Sequence, residues 1–453
     1  MHVYQASYLN KPNFVCSLCV GDQFLQTTIS ATGHANAKCN YCGGKRPSIP
    51  LSELAEYCEK VFGNFYQQTS RTDAVIYHNR SPEGVDIYEC LHELLDCSDE
   101  LCRDLGLMLL NRLGLNDGED PDPYYIRRSE LGDQIGEQWA RVSDSLKFQA
   151  RLVNPELTRL LDLVFGRISD DVTAEGFDVF TAAGPGKALR RLFRARVFQS
   201  EVALEAALKH PERALGPLPK GLGRAGRMNA SGVSVFYGAT SMEVALSEVR
   251  PPVGSRVLIG EFEVVRPLKI LDLDELGEIG SAGSASLFDP ITMEQQARCD
   301  FLRTLTSQLI MPVLPESEQH SYLITQAIAD YLATHEKLNV DGIYFRSAQN
   351  AGGGAQAKRR NVVLFNKASS VERAELEFQH ERSSQLMGSE DGVAYMQPRI
   401  WNNARGRQDQ RGASDEPDAR EVTLRLDLNS MMIHTVESIK IVTSCDDVAY
   451  HEK

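Results

Sequence analysis

The hydrophobic positions between residues 51 and 153 repeat with the spacing of amphipathic helices. The first stripe consists of apolar residues at steps of three and four: Leu54, Tyr57, Cys58, Val61 and Phe62. Such steps line up one face of a helix. Similar stripes predict a second helix between Leu91 and Leu109 and a third from about Leu131 to Leu152. The pattern therefore predicts a helical domain over residues 49–153.

After Gly186 the pattern changes to short runs of β-branched and aromatic residues. Such runs predict strands, and they cover Val233–Tyr237, Val257–Val265, Leu268–Leu273, Gly342–Phe345 and Val362–Phe365. The capping-box pattern Thr240–Glu243 opens a helix through Val249, and Pro251 and Pro252 prevent its continuation. A longer helix is predicted over residues 321–336. The alternation predicts a mixed α/β domain over residues 187–368.

Two stretches are expected to connect or extend these domains. Residues 154–186 give mixed signals and end on Ala-Gly-Pro-Gly, so we expect a linker with a hinge there. Residues 369–420 are rich in Ser, Gln, Arg, Asp and Gly, a composition that predicts a flexible segment. Strand-like runs return in Val422–Leu428 and Ile439–Val442, which predict a C-terminal β extension over residues 421–453.

Composition agrees with a folded chain of several domains. The 453 residues are 42% hydrophobic and 24% charged, ordinary values for soluble proteins. No apolar run approaches the roughly 18 residues of a membrane span, and the N-terminus lacks the features of a signal peptide, so we expect a cytoplasmic protein. The net charge of −14 disfavours a surface that grips a phosphate backbone. Nucleic acid is therefore an unfavoured partner.

Four cysteines near the N-terminus have the spacing of a metal site. They form two C-x2-C pairs, separated by nineteen residues: Cys16, Cys19, Cys39 and Cys42. Four thiolates suit a tetrahedral zinc ion, and a site with four protein ligands has no open position for catalysis. We expect a zinc ribbon over residues 1–48 with a structural zinc. The alternative, reduced thiols packed in a core, gives no reason for two matched pairs. The other six cysteines are interpreted as packed or free thiols.

Five ordered strings resemble a known family. They are Leu192–Arg196 (LFRAR), Gly226–Ala239 (GRMNASGVSVFYGA), Ala245–Pro252 (ALSEVRPP), Asp341–Ser347 (DGIYFRS) and Asn361–Phe365 (NVVLF). Together they resemble the RES domain, named for its Arg, Glu and Ser. The cysteine strings Cys16–Leu25 and Cys39–Gly43 resemble the HEPN/RES N-terminal module. The resemblance implies a RES catalytic domain over residues 187–368 and a HEPN-like domain over residues 49–153.

This resemblance implies an α+β protein whose catalytic domain has an ADP-ribosyltransferase-like fold and consumes NAD. The family is known for toxins paired with antitoxins. NAD is therefore the expected substrate, and an antitoxin or regulatory protein is an expected partner. The sequence leaves open whether water, phosphate or a protein accepts the ADP-ribose. It also leaves open the oligomeric state, a homodimer included.

The resemblance assigns three charged residues to catalysis and to NAD binding. Cleavage of the nicotinamide–ribose bond develops positive charge on the ribose, and the carboxylate of Glu248 would stabilise it. A guanidinium recognises a pyrophosphate through two parallel hydrogen bonds, a role that suits Arg194 with Arg227 in support.

Three further residues follow from the same strings. The ring of Tyr237 would stack on nicotinamide and exclude water, which makes it a catalytic and a binding candidate. The hydroxyl of Ser347 would position ribose or phosphate, and Asn361 joins the binding set. One departure is Met228, since many family members have an aromatic residue there. The shape of the pocket at that point is therefore open.

Two other functions compete with NAD cleavage. The HEPN resemblance raises a metal-independent ribonuclease, whose Arg and His would be Arg71 and His78, although such spacing arises easily by chance and the acidic charge disfavours RNA. Alternatively, the zinc ribbon and the helices form a partner-binding module. The second alternative is compatible with NAD cleavage if the module restrains the catalytic domain.

Overall fold

The structure is a computed structural model, and its described residues fall into two compact units. Those residues are 13–69, 75, 77, 81, 83–114, 123–128, 130–149, 151, 153–219, 221–280, 286–311, 318–347, 359–373, 380–391, 393–404, 418–440, 443, 445 and 448. The first unit comprises the described residues within 1–144, 171–177 and 277–305. The second unit comprises residues 145–170, 178–276 and 306–453. No helix among the described residues is long and apolar enough to cross a membrane.

Short strands and amphipathic helices alternate in the N-terminal third of the chain. In chain order the elements are β1 (Phe14–Cys16), α1 (Gln23–Thr32), β2 (Ser48–Pro50), α2 (Leu51–Phe65), β3 (Tyr66–Gln68), β4 (Val85–Asp86), α3 (Ile87–Leu95), α4 (Asp99–Arg112), β5 (Tyr124–Arg127) and α5 (Glu130–Phe148). The predicted second helix is two helices. Asp96 ends α3 in the left-handed region with a φ of 42°, and Ser98 caps α4 by accepting from the backbone of Leu101. The apolar stripes of α2, α3 and α4 form the core of the first unit.

The stretch predicted to be a linker contains regular structure instead. Helix α6 (Pro155–Phe165) begins at Asn154, whose Oδ1 accepts from the backbone N–H of Leu157 at 3.0 Å. Pro155 suits the first helical position, where no backbone donor is needed. The helix buries Leu157, Leu160, Leu161 and Val164. Strand β6 (Phe180–Ala183) then joins a sheet. The prediction of a linker was wrong because these buried leucines follow helical spacing.

The second unit is built on one mixed sheet of eight strands. The remaining elements of the chain are β7 (Arg191–Phe198), α7 (Glu201–Lys209), α8 (Pro211–Ala214), β8 (Phe236–Ala239), α9 (Met242–Glu248), β9 (Arg256–Val264), β10 (Leu268–Asp272), α10 (Leu273–Gly277), α11 (Pro290–Ile310), α12 (Glu318–Thr334), β11 (Gly342–Arg346), β12 (Arg360–Leu364), β13 (His380–Glu390), β14 (Val393–Ala404) and β15 (Leu424–Thr435). Residues 290–305 of α11 belong to the first unit. The strand order is β15-β9-β7-β8-β12-β11-β10-β6. Among the strand pairs of this sheet that the described residues form, β10 and β11 are parallel and the others are antiparallel.

One narrow junction joins the two halves of this sheet. Strands β7 and β8 share a single paired position, Phe193 with Ala239, whereas β7 pairs with β9 over eight positions. Helix α9 packs on this junction, and its Val244 and Ala245 are buried against Ala195 and Ala239. Because β7 and β8 pair at a single position, the sheet leaves room for a cavity between them.

A long hairpin lies within the stretch predicted to be flexible. Strands β13 and β14 pair antiparallel over residues 380–404. The hairpin is anchored by a buried ion pair, in which Arg382 donates to Glu212 of α8 at 2.7 Å, and Ser384 donates to the backbone oxygen of Glu205 at 2.7 Å. For residues 380–404 the prediction was wrong, since the polar residues that suggested flexibility include those that anchor the hairpin.

The C-terminal segment contributes an edge strand. Strand β15 pairs antiparallel with β9 on both sides of an irregularity between Asp427 and Met432. The first strand-like run of the predicted β extension thus forms a strand, although it extends further than the pattern indicates. Of the second run, Ile439 and Lys440 are not in a strand, and residues 441 and 442 lie outside the described residues.

Candidate active site

The strands around the sheet junction line a cavity of about 510 Å³. Its walls come from β7, β8, β11, β12 and α9, with additions from the end of α11 and from α12. Five of the six residues predicted for the site lie in its wall: Arg194, Arg227, Tyr237, Glu248 and Asn361. The sixth, Ser347, hydrogen-bonds to Glu248. The structure thus brings all six predicted side chains to one place.

Glu248 lies at the last position of the short helix α9. Ser241 caps the start of this helix by accepting from the backbone of Val244. At its other end, Oε1 of Glu248 accepts from Ser347 Oγ at 2.7 Å and from Asn361 Nδ2 at 2.8 Å. Hydrogen bonds to a charged group are shorter and stronger than neutral ones, so two donors on one oxygen fix the orientation of the carboxylate.

One donor, Asn361, lies on β12, and the other, Ser347, directly follows the adjacent strand β11. Asn361 lies on β12 opposite Phe345 of β11, and the backbone N–H of Ser347 donates to the carbonyl of Arg359 at 3.2 Å. This antiparallel pairing brings the Ser and the Asn together beside the end of α9. Sequence analysis assigned both residues to substrate binding, whereas their contacts in the structure are with Glu248.

Arg194 places a partly buried cation in the wall of the cavity. Its guanidinium carbon lies 4.9 Å from the centre of the Phe236 ring. Its NH1 nitrogen is buried, and among the residues that the structure describes it has no hydrogen-bond partner. Burial lowers the pKa of Arg194 to about 10, with Arg196 as a second cause. A buried donor without a partner is costly, which favours an anion that binds it.

Tyr237 supports the loop that precedes β8. Its hydroxyl donates to Asn229 Oδ1 at 2.8 Å and accepts from the backbone N–H of Met228 at 3.1 Å. Asn229 in turn donates to the backbone oxygens of Arg224 and Val233 at 2.8 and 2.9 Å. Burial raises the pKa of Tyr237 to about 12, so the phenol is neutral at ordinary pH. Its hydroxyl is thus occupied, and its ring is the part that lines the cavity.

The guanidinium of Arg227 is engaged with backbone carbonyls. NH1 donates to the carbonyl of Ile310 at 3.3 Å, and NH2 donates to that of Met311. These carbonyls end helix α11, where a positive charge interacts favourably with the helix dipole. Burial lowers the pKa of Arg227 below its ordinary value. Arg227 therefore differs from Arg194, because its cation already has partners.

Sequence analysis missed a charged network behind the site. Arg360, the neighbour of Asn361, donates to both carboxylate oxygens of Asp272 at 2.9 and 3.2 Å and also to Asp274. Burial raises the pKa of Asp272 to about 6, and Arg360 opposes this shift. The backbone of Arg360 also exchanges hydrogen bonds with Thr240, just before α9. The local signal was a single basic residue, Arg360, at the start of an apolar strand, and the partner acids lie almost ninety residues away in sequence.

The four predicted zinc ligands lie together in the first unit. The sulfur atoms of Cys16, Cys19, Cys39 and Cys42 all lie within 4.8 Å of one another. Neighbouring sulfurs are 3.5 to 3.6 Å apart. A tetrahedral site with zinc–sulfur distances of about 2.3 Å requires separations of this size. The donor set thus fits a structural zinc ion.

Two models of known families match separate parts of the chain. The RES domain family matches residues 191–384, and HEPN/RES N-terminal domain 1 matches residues 32–158. The chain thus contains one region similar to the RES domain and one region similar to the HEPN/RES N-terminal module. The RES family is generally linked to toxin–antitoxin systems that act on NAD. Neither the curated proteins nor the solved structures contain a significant match. The ribonuclease candidates Arg71 and His78 lie outside the described residues.

Proposed function

We propose that this protein cleaves the nicotinamide–ribose bond of NAD, as a glycohydrolase, a phosphorylase or an ADP-ribosyltransferase. The observation that carries the proposal is the pairing of two groups in one cavity: the buried NH1 of Arg194, which has no hydrogen-bond partner among the described residues, and the oriented carboxylate of Glu248. NAD offers a pyrophosphate for the first and a developing ribosyl cation for the second. The ADP-ribosyltransferase-like fold implied by the sequence is part of this proposal.

Glu248 acts on the ribose. As the bond to nicotinamide breaks, positive charge develops on the sugar, and a fixed carboxylate lowers the energy of that state. Ser347 and Asn361 hold Oε1, so we assign Oε2 to the ribose. This assignment makes Ser347 and Asn361 positioning residues of the carboxylate. Fixing the carboxylate beforehand avoids a reorganisation cost during the reaction.

Arg194 binds the pyrophosphate. Its buried NH1 gains a hydrogen-bond partner when the phosphate enters, and the guanidinium offers two parallel donors. The ring of Tyr237 provides a surface on which nicotinamide stacks. Arg227 shapes the wall and adds positive charge, while its donors stay on the end of α11.

The toxin-like role belongs to the same proposal. A protein that destroys NAD needs restraint, and the family's link to toxin–antitoxin systems makes an antitoxin or regulatory protein the expected partner. The N-terminal module, with its structural zinc, is the part of this chain assigned to regulation.

Nicotinamide release from NAD by the purified chain tests this function, with Arg194→Ala and Arg196→Ala as a matched pair. Both arginines lie on β7, but the guanidinium of Arg196 donates to the backbone oxygen of Ala214. A charge-assisted hydrogen bond contributes roughly 1.5–3 kcal/mol, so Arg194→Ala should raise KM about 10- to 100-fold. Arg196→Ala should leave KM unchanged. Equal effects of the two substitutions would argue against the assigned pyrophosphate site.

Product analysis with and without phosphate separates the possible acceptors. Free ADP-ribose indicates water, and a phosphorylated ADP-ribose indicates phosphate. Label from NAD that remains on protein indicates transfer. If no NAD is consumed under any of these conditions, the proposed function is wrong.

A further inference from the structure

Two cysteines outside the zinc cluster lie close together in the first unit. The sulfur atoms of Cys97 and Cys102 are 2.9 Å apart. Cys97 directly precedes Ser98, the residue that caps helix α4, and Cys102 lies in the first turns of that helix. These are the positions before the cap and four after it, whose side chains commonly pack together at helix starts. The proximity therefore follows from the local sequence.

This pair differs from the zinc cluster in its geometry. The neighbouring sulfurs of the four zinc ligands are 3.5 to 3.6 Å apart, as a central metal requires. The sulfurs of Cys97 and Cys102 are closer and approach the length of a disulfide bond, about 2.05 Å. Among the described residues, the zinc cluster is the only group of three or more ligands suited to a metal. The pair is thus arranged for a bond between two sulfurs.

A cavity lies beside the pair. Cys102 lines a cavity of about 390 Å³ together with Tyr88, His92, Asp99 and Arg103. Cys97 is half-buried beside it. Burial raises the pKa of both thiols above their ordinary value. Thiolates are therefore scarce at neutral pH, and the reduced pair persists until the oxidant becomes abundant.

We propose that Cys97 and Cys102 form a reversible disulfide when hydrogen peroxide reacts with the reduced pair. The sulfur of one thiolate attacks a peroxide oxygen, the O–O bond breaks, and the departing oxygen leaves as water after protonation. The second sulfur then attacks the resulting sulfenic acid, whose hydroxyl leaves as a second water with the proton of the second thiol. Two thiols and one peroxide thus give one disulfide and two waters. The sulfurs lose the two electrons that the peroxide gains.

The disulfide would fix the start of a helix that contacts the zinc knuckle. Tyr41, which lies between the ligands Cys39 and Cys42, donates its hydroxyl to Asp104 of α4 at 3.1 Å. Cys102 is one half-turn earlier on the same helix and belongs to the core of the first unit. Oxidation would therefore stabilise the first unit against unfolding.

Peptide mapping of the full-length, zinc-loaded chain tests the proposal. After treatment with hydrogen peroxide, free thiols are alkylated under denaturing conditions and the chain is digested with trypsin. The peptide from Ser81 to Arg103 contains Cys90, Cys97 and Cys102. We expect peroxide to remove the mass of two hydrogen atoms from this peptide and to leave only Cys90 alkylated. Dithiothreitol should restore alkylation of all three cysteines, and the oxidised chain should unfold at a higher temperature than the reduced one.

Zinc content and three variants serve as controls. Cys97→Ser and Cys102→Ser should each abolish the mass change, whereas Cys299→Ser, a buried cysteine elsewhere in the first unit, should retain it. The proposal is overturned if Cys97 and Cys102 both stay alkylatable at peroxide concentrations that already release zinc. Pairing of Cys90 with either of them would overturn it as well. The peptide map of the wild-type chain shows whether Cys97 and Cys102 form the disulfide, even if a variant fails to fold.

Discussion

Nδ2 of Asn361 lies 2.8 Å from Oε1 of Glu248, the same oxygen that accepts a hydrogen bond from Ser347. A single carboxylate oxygen thus receives donors from β12 and from the residue that follows β11, while the helix that carries Glu248 packs on β7. The orientation of the carboxylate is therefore a product of the fold.

The two donors should act on catalysis as one unit. A hydrogen bond to a charged group contributes roughly 1.5–3 kcal/mol, so Asn361→Leu and Ser347→Ala should each reduce kcat about 10- to 100-fold. Because both donors hold the same oxygen, the double variant should lose less than the product of the two single losses. A double-mutant cycle on nicotinamide release measures this coupling. Fully additive free-energy changes would show that the donors act independently.

Binding of ADP-ribose should weaken at high pH because of Arg194. Burial lowers the pKa of this guanidinium to about 10, so it is charged at neutral pH and loses its charge as the pH rises through about 10. Tyr237, with a pKa of about 12, stays neutral over this range. Calorimetric titration of ADP-ribose should therefore give a constant affinity at lower pH and a falling one near pH 10. Arg194→Ala should bind weakly throughout, and an unchanged pH profile in that variant would contradict the assignment.

Loss of one zinc ligand should unfold the region around the zinc site. Structural zinc contributes apparent binding free energies of about 10–16 kcal/mol, which a short knuckle cannot replace by burying apolar surface. Cys39→Ser should therefore lose zinc and helical signal, measured by metal analysis and circular dichroism. Cys445→Ser, at an exposed cysteine outside the cluster, is the matched control and should retain both. Full zinc content in Cys39→Ser would contradict the proposed ligand set.

The buried ion pair that anchors the hairpin should be important for stability. Glu212 and Arg382 are both more than nine-tenths buried. Removal of one partner leaves an uncompensated buried charge, which typically costs about 3–5 kcal/mol. Glu212→Gln should lower the free energy of unfolding in urea by about that amount, and the apolar pair Glu212→Leu with Arg382→Met should lose less. A smaller loss in the single variant than in the double variant would show that the pair does not anchor the hairpin.

Local patterns predicted the elements whose residues bury one clear face. Strands β9, β10, β11 and β12 and helix α9 lie within a few residues of their predicted bounds, because their apolar runs and caps are coded by neighbouring residues. Strand β7 escaped prediction as a strand because its arginines interrupt the apolar pattern. Those arginines line the cavity or contact neighbouring elements, which a window of sequence does not reveal.

The roles within the site were harder to predict than its members. The six predicted residues meet at one cavity, yet Ser347 and Asn361 contact Glu248, and Arg227 contacts the end of α11. Each of these contacts joins residues about eighty or more positions apart. Such partners depend on strand register and helix placement, which only the folded chain determines.

The most direct test of the central claim compares Glu248→Gln with Glu243→Gln. Both glutamates lie on α9 and are exposed, but Glu243 lies at the start of the helix and does not line the cavity. Glutamine preserves the shape of the side chain and removes its charge. We predict that Glu248→Gln still binds NAD but releases nicotinamide at least about 100-fold more slowly, since loss of one electrostatic contact to a transition state costs about 2.7–4 kcal/mol. Glu243→Gln should match the wild type. Nicotinamide release at the wild-type rate by Glu248→Gln would contradict the account.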